Sequence, residues 1–307
     1  MMKLLVMDVG GTAIKSAVID DTDQLTDIRV SPSCTHDIDE RIRRVIEVAK
    51  SYGTFDAVSV ATTGQIDDRT RSMLFRYSQA KETVLPSYPI GEIIEKALGR
   101  PAFILNDCNA AALGEAYFGA GRGHRNFLCL TVGTGVGGAI IEDGKLYTGQ
   151  RGIAGEVGHM VTHKGGKLCR CGRRGCYEQY ASTTALVQRA RTLYPELENA
   201  KNIFDMAERD AALGRVISSW TEEIVAGLLT LTYIFNPSCM ILGGGVMQEP
   251  CMCENVRRRF YKSVIPTFAG VEILTAELGN RAGLFGAAVY ARQCLETGKH
   301  NQKGATV

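Results

Sequence analysis

The chain has 307 residues, 45% of them hydrophobic and 22% charged, with a formal net charge of +2. That is the balance of a globular protein with length for two domains, each around its own core. It carries no electrostatic footprint for nucleic acid or an anionic membrane, no stretch reaches the roughly 18 uninterrupted apolar residues of a membrane span, and Asp8 cuts the opening "MMKLLVMD" short of a signal-peptide core. The expected location is the cytoplasm, with no membrane or nucleic-acid partner.

In chain order, "KLLVMDVG" and "SAVID" read as strands, and "DERIRRVIEVAKSYG" as an amphipathic helix ending at Gly53. "FDAVSVAT" is a strand, "PIGEIIEKALG" a helix stopped by Gly99, "PAFILND" a strand and "CNAAALGEAYFGAG" a helix rich in small residues. Further on, "TTALVQRARTLY" starts a helix after a Ser/Thr cap, "VISSWTEEIVAGLLTLTYIFNP" is a long apolar helix ended by Asn236 and Pro237, and "SCMILGGGV" is a strand running into glycines. The tail "TGKHNQKGATV" is polar and reads as frayed. The alternation predicts an α/β fold.

The chain also resembles itself. "LLVMDVGGTAIKSAVIDD" lies over "FLCLTVGTGVGGAIIEDG", with Gly10 on Gly133 and Asp20 on Asp143. Duplication predicts two like domains facing each other across a cleft, with the break near Gly119–Gly123; a chance match of two hairpins is the alternative.

"VGTGVGG" contains the spacing of a dinucleotide fingerprint at Gly133, Gly135 and Gly138, but the strand-like "AIIEDGKLY" follows where a fingerprint requires a helix. A tight hairpin fits better, its glycines letting backbone N–H groups approach an anion. Such a turn can also merely reverse the chain. Two at matching positions, with Thr12 and Thr134 inside them, point to phosphate. Asp8 is suited to hold a Mg²⁺-bound phosphate through water, and a third turn at Gly243 to Gly245 could lie against adenosine. Asp107, beside Asn106 where a helix begins, reads either as a helix cap or as a general base.

Of the ten cysteines, Cys108, Cys129 and Cys239 sit in apolar or helical runs and read as core. Cys169, Cys171 and Cys176, with His159 ahead of them, offer three thiolates and one imidazole, the set of a closed structural zinc site. The alternative, four unrelated residues, would leave reduced thiols in a basic loop with Arg170, Arg173 and Arg174. Glu156 and Glu178 flank this cluster; they read as acceptors for sugar hydroxyls or as solvated surface carboxylates.

Taken together, "DVGGT", "ND", "TVGTGVGGAI", "GIAGEVGH", "CRCGRRGCYE", "IFNPSCMILGGG" and "AGLFGAA" resemble the ROK (repressor, open reading frame, kinase) family of sugar kinases, within the actin-like ATPases, over nearly the whole chain. The resemblance implies two ribonuclease H-like domains, here 1–118 and 119–283 with the zinc loop in the second, and a C-terminal helix over 284–299 returning to the first. It implies an ATP-dependent kinase, with ATP and Mg²⁺ held by Asp8, Gly10, Gly11, Thr12, Lys15, Gly133, Thr134, Gly135, Gly244 and Gly245. Asp107 would be the base, Asn106, Asp107, Glu156, His159 and Glu178 the sugar contacts, and His159, Cys169, Cys171 and Cys176 the ligands of a structural Zn²⁺ shaping the wall of the sugar pocket.

A homodimer is the expected assembly. Repressor members carry a winged helix-turn-helix ahead of the kinase fold, and "DVGGT" at Asp8 leaves no room for one; a non-catalytic sugar sensor is the remote alternative. "ATTGQID" replaces the Gly-x-Pro-Gly turn of many glucose kinases, and "RYSQAKETVLPSYPI" lacks their Asn-Leu-Pro stretch. Glucose, N-acetylmannosamine, N-acetylglucosamine and a β-glucoside therefore all stay open, and the expected reaction is phosphorylation of a hexose such as glucose on its 6-hydroxyl.

Overall fold

The computed structural model describes residues 2–33, 37–74, 77–78, 83–84, 87–249 and 251–298. Residues 299–307 of the tail, and residues 76, 79–82 and 85–86 of the stretch "RYSQAKETVLPSYPI" read for sugar specificity, lie outside the described residues. Contacts divide the chain into two compact units: Met1–Arg122 with Leu146–Ala154 and Asn280–Val307, and Gly123–Lys145 with Gly155–Gly279. Leu146–Ala154, assigned to the second domain by chain order alone, sits in the first unit.

The first unit begins with β1 (Leu4–Val9), β2 (Ala13–Ile19) and β3 (Leu25–Pro32), followed by α1 (Ile38–Lys50) and β4 (Ala57–Thr62). Short ladders follow, β5 (Ile66–Asp67) on β6 (Ser72–Met73) and β7 (Tyr77–Ser78) on β8 (Thr83–Val84). Then come α2 (Ile90–Leu98), β9 (Ala102–Asn106) and α3 (Asp107–Phe118). The main sheet runs β3-β2-β1-β4-β9. β1 is antiparallel to β2 and parallel to β4, which is parallel to β9.

β4 is buried along its whole length, the pattern of a central strand covered on both faces. α1 ends at Lys50 with Ser51 as its C-cap, earlier than Gly53, because Ser51 N–H and Oγ both bond back to the last helical carbonyls. α2 stops at Gly99, whose φ of 64° is the left-handed cap that glycine adopts without strain.

The second unit repeats this order. β10 (Phe127–Val132), β11 (Val136–Glu142) and β12 (Lys145–Leu146) precede the cysteine loop. α4 (Glu178–Ala181), α5 (Thr183–Ala190), α6 (Ala200–Ala207) and α7 (Ala211–Phe235) follow, then β13 (Cys239–Gly243), α8 (Met252–Ser263) and β14 (Glu272–Thr275). The sheet runs β12-β11-β10-β13-β14, the same permutation as the first, with β10 antiparallel to β11 and parallel to β13. β1 and β2 map onto β10 and β11 residue for residue, Leu4 on Phe127 and Ile19 on Glu142. The self-resemblance of the sequence is a duplicated fold.

The final helix, α9 (Ala282–Glu296), belongs to the first unit. It packs on α3 at backbone distance. A Cβ on Gly286 would sit 1.7 Å from the Ala110 carbonyl oxygen, and one on Gly114 would sit 2.4 Å from that of Ala282. The small-residue run seen in the sequence is the signature of this close crossing, which any side chain at either glycine would push apart.

Candidate functional site

In the first unit the strands β1, β4 and β9 are parallel, with Val9 paired to Thr62 and Thr62 to Asn106, so their C-terminal ends share one edge. Such edges carry ligand sites in α/β sheets because loops and helix N-termini converge there. Asp8, Asn106 and Asp107 all lie on it. The adjoining turn places Gly10, Gly11 and Thr12 between β1 and β2, closed by Gly10 N–H donating to Ala13 O at 2.9 Å. A Cβ on Gly11 would meet nothing within 4 Å, so neither packing nor backbone angle demands glycine there.

Asn106, not Asp107, caps α3. Its Oδ1 accepts from the N–H groups of Cys108 and Asn109 at 2.8 and 3.2 Å, and its Nδ2 donates to Gly64 O at 3.0 Å. Gly64 lies in the "ATTGQID" turn read for sugar choice, so that turn directly holds the residue beside Asp107. Asp107 accepts from Cys108 N–H at 3.0 Å. Burial, reinforced by the negative charge of Asp8, pushes its carboxyl above the ordinary range, making it a stronger base. Burial raises Asp8 too, against the opposing charge of Lys15, whose Nζ lies 3.5 Å from Asp8 Oδ2 and donates to Asn280 Oδ1 at 3.0 Å.

In the second unit Gly133, Thr134 and Gly135 form the turn between β10 and β11. Gly133 and Thr134 line a cavity of about 630 Å³ with Thr183, Thr184, Val187, Gly245 and Val246. Gly245 is open on its Cβ side. Gly244 is required by the chain itself, with φ at 100° and the Val132 carbonyl oxygen 2.1 Å from where its Cβ would stand. At Gly135 a Cβ would lie 2.7 Å from Glu178 Oε2, the movable end of a long side chain, and meets no backbone atom, so only Glu178 would have to shift.

The cysteine loop gathers its donors. One atom each from His159, Cys169, Cys171 and Cys176 lies within 4.8 Å of all the others. Cys171 Sγ and Cys176 Sγ are 3.5 Å apart, and Cys169 Sγ is 3.8 Å from His159 Nδ1. The edges of a zinc tetrahedron built from bonds of about 2.0–2.3 Å are roughly 3.5–3.8 Å, so the residues fit that ion. His159 turns Nδ1 to the cluster and Nε2 toward Glu156, at 3.7 Å from Oε2. Glu178 Oε1 lies 3.0 Å from Cys169 Sγ. Cys108, Cys129 and Cys239 are buried, as core residues should be.

Sequence reasoning missed Thr183 and Thr184 as contributors to this region and saw only a helix cap. The signal was present in "STT", three hydroxyl residues in a row where one suffices for capping. It missed Val187 and Val246 as cavity walls, because they are 59 positions apart in the chain and only folding brings them to one cavity.

A duplicated mixed sheet of this order, with a glycine turn between the first two strands of each copy, defines a two-unit α/β protein of the actin-like ATPase fold. The model of the ROK family matches residues 4–294, and the chain belongs to that family. It is 34% identical to a glucokinase of Streptomyces coelicolor, over 94% of this chain and 96% of that protein. It is also 34% identical to an N-acetylmannosamine kinase of Yersinia pseudotuberculosis, over 96% of this chain and 100% of the other. A solved ROK glucokinase from Streptomyces griseus, in complex with glucose and AMPPNP, superposes with a TM-score of 0.83 at 32% identity, covering 95% of this chain and 99% of that one. No described helix is long and apolar enough to cross a membrane.

Proposed function

We propose that this chain transfers the γ-phosphoryl group of ATP to the 6-hydroxyl of a hexose such as glucose, with Asp107 as the general base. The observation that carries the base assignment is the half-buried carboxyl of Asp107, its basicity raised on a strand edge it shares with Asp8 and an open glycine turn. In phosphoryl transfer the protein positions the reactants and stabilises charge. Asp107 takes the proton of the attacking hydroxyl, Asn106 is fixed beside it by Gly64, and Asp8 faces the phosphates with Lys15. The Mg²⁺ that accompanies ATP supplies charge neutralisation.

The backbone N–H groups of Gly11, Thr12, Thr134 and Gly135 are assigned to ATP phosphates, while those of Gly10 and Gly133 close the two turns. The cavity of about 630 Å³ beside Gly245, within the size range of small-molecule sites, is assigned to the nucleoside. Asn106, Asp107, Glu156, His159 and Glu178 are assigned to sugar hydroxyls. His159 Nδ1 and the thiolates of Cys169, Cys171 and Cys176 would hold Zn²⁺, which supplies a rigid cross-link and no open coordination position.

N-acetylmannosamine is the second reading for the substrate, because kinases of both sugars match this chain at the same identity. Coupled ATP turnover against glucose, N-acetylmannosamine, N-acetylglucosamine and a β-glucoside decides between them, and phosphorus NMR of the product locates the ester. Preferred turnover of glucose is expected; turnover of none of the four would overturn the hexose assignment.

A further inference from the structure

The loop that carries the metal-ligand candidates is built directly onto the turn between β10 and β11. Gly158, beside His159, comes so close to that hairpin that a Cβ there would lie 2.0 Å from the Val136 carbonyl oxygen. Two residues further along the same strand, a Cβ on Gly138 would lie 2.6 Å from the Val157 side chain. After the last ligand, Cys176, the chain returns to the same turn. Glu178 rests its Oε2 over Gly135 while its Oε1 touches Cys169. Thr183 N–H then donates to Gly133 O at 2.8 Å, and Thr184 Oγ1 donates to Thr134 O at 2.7 Å.

This run is braced from behind. Buried Tyr177 donates its hydroxyl to Ile224 O at 2.8 Å, and buried Trp220 donates Nε1–H to Ser182 O at 2.9 Å. The stretch from Cys176 to Thr184 therefore holds a metal ligand at one end and grips the turn's carbonyls at the other.

We infer that Thr184 is a positioning residue for the nucleotide, and that the metal clip sets the shape of the Gly133–Thr134–Gly135 turn through the Cys176–Thr184 run. The inference rests on the kinase reading above and deepens it: the clip bears on ATP as well as on the wall of the sugar pocket. A peptide plane has one carbonyl and one N–H on opposite sides. Fastening the carbonyl of Thr134 fixes which way the N–H of Gly135 points, and fastening that of Gly133 does the same for Thr134. A turn whose carbonyls are loose can rotate those N–H groups away from a phosphate.

Calorimetric titration of the intact protein with AMPPNP, without sugar, tests this. Thr184→Val keeps the side-chain shape and removes the donor. AMPPNP affinity should fall roughly tenfold, the factor of one hydrogen bond, with zinc content and the KM for sugar unchanged, and Thr184→Ser should restore it. Removing zinc with a chelator, or by Cys171→Ser, should weaken AMPPNP in the same direction. The losses from Cys171→Ser and Thr184→Val combined should be less than multiplicative, because both act through one run of chain. The Thr184 variants keep their metal and so decide the positioning role even if the stripped chain unfolds. Equal AMPPNP affinity in Thr184→Val and wild type overturns the positioning role, and equal affinity of folded zinc-loaded and zinc-free protein overturns the coupling. A zinc-loaded wild type that binds no AMPPNP overturns the kinase reading beneath both, and is distinguished by failing before any variant is made.

Discussion

The two glycine turns occupy the same place in a duplicated fold and have diverged in what surrounds them. The first, at Gly10 to Thr12, stands open beside the raised carboxyls of Asp8 and Asp107. The second, at Gly133 to Gly135, has Thr131 where the first has Asp8, and is gripped by Thr183 and Thr184. One copy concentrates negative charge suited to metal-bound phosphate and proton transfer. The other spends its contacts on holding a backbone shape. Duplication supplies a scaffold twice, and the chemistry comes from the few side chains at the strand ends, which differ.

The largest break in this comparison should come from Asp107→Asn. Loss of a general base lowers rate by about 10²- to 10⁴-fold, so steady-state turnover should fall that far while sugar affinity changes little. Activity within tenfold of wild type would remove Asp107 from the role. Because Asp107 must be ionised to accept a proton and its pKa is raised, kcat/KM should fall on the acid side at a pH above the ~3.9 of a free aspartate.

The same raised pKa makes the ionised form unfavourable to folding. Its contribution is fully present below the unfolded value and is lost as pH rises through the folded one. Asp107→Asn should therefore raise the melting temperature at neutral pH, and an unchanged or lower one would show that the carboxylate is well solvated.

A second contrast sets the two turns directly against each other. Gly11→Val projects into open space and should weaken ATP by tenfold or more with stability unchanged. Gly135→Ala meets only the movable end of Glu178 and should cost less than about 1 kcal/mol of stability. Denaturant titration beside nucleotide calorimetry checks both. A loss of about 2 kcal/mol or more in Gly135→Ala would show that Glu178 is held against the turn and cannot swing clear.

The smallest effect belongs to the aligned pair Asp20 and Asp143. Asp20 accepts from Thr22 N–H and Oγ1 at 2.9 and 2.6 Å, whereas Asp143 pairs with Arg125 at 3.4 Å, both side chains about three-quarters exposed. Exposed pairs are worth little, so Arg125→Ala should change stability by less than about 0.5 kcal/mol. A larger loss in urea unfolding would show that this hairpin end is held more tightly than its twin.

The duplication and the strands around both turns could be read from the sequence, because a strand–glycine–strand hairpin is local and its period-two pattern survives in each copy. Gly99 as a helix stop and the three cysteines with His159 as one cluster were legible for the same reason: short spacing limits where the atoms can go. The roles of Asn106 and Gly135 were not. Which of two neighbouring residues caps α3 depends on backbone angles at one junction, and a glycine crowded by Glu178 looks the same in sequence as one left open. The return of α9 to α3, the membership of Leu146–Ala154 in the first unit, and the grip of Thr184 on Thr134 all join residues far apart in the chain. Only tertiary packing decides such contacts, because local pattern states which face of an element is apolar but not which distant surface will cover it.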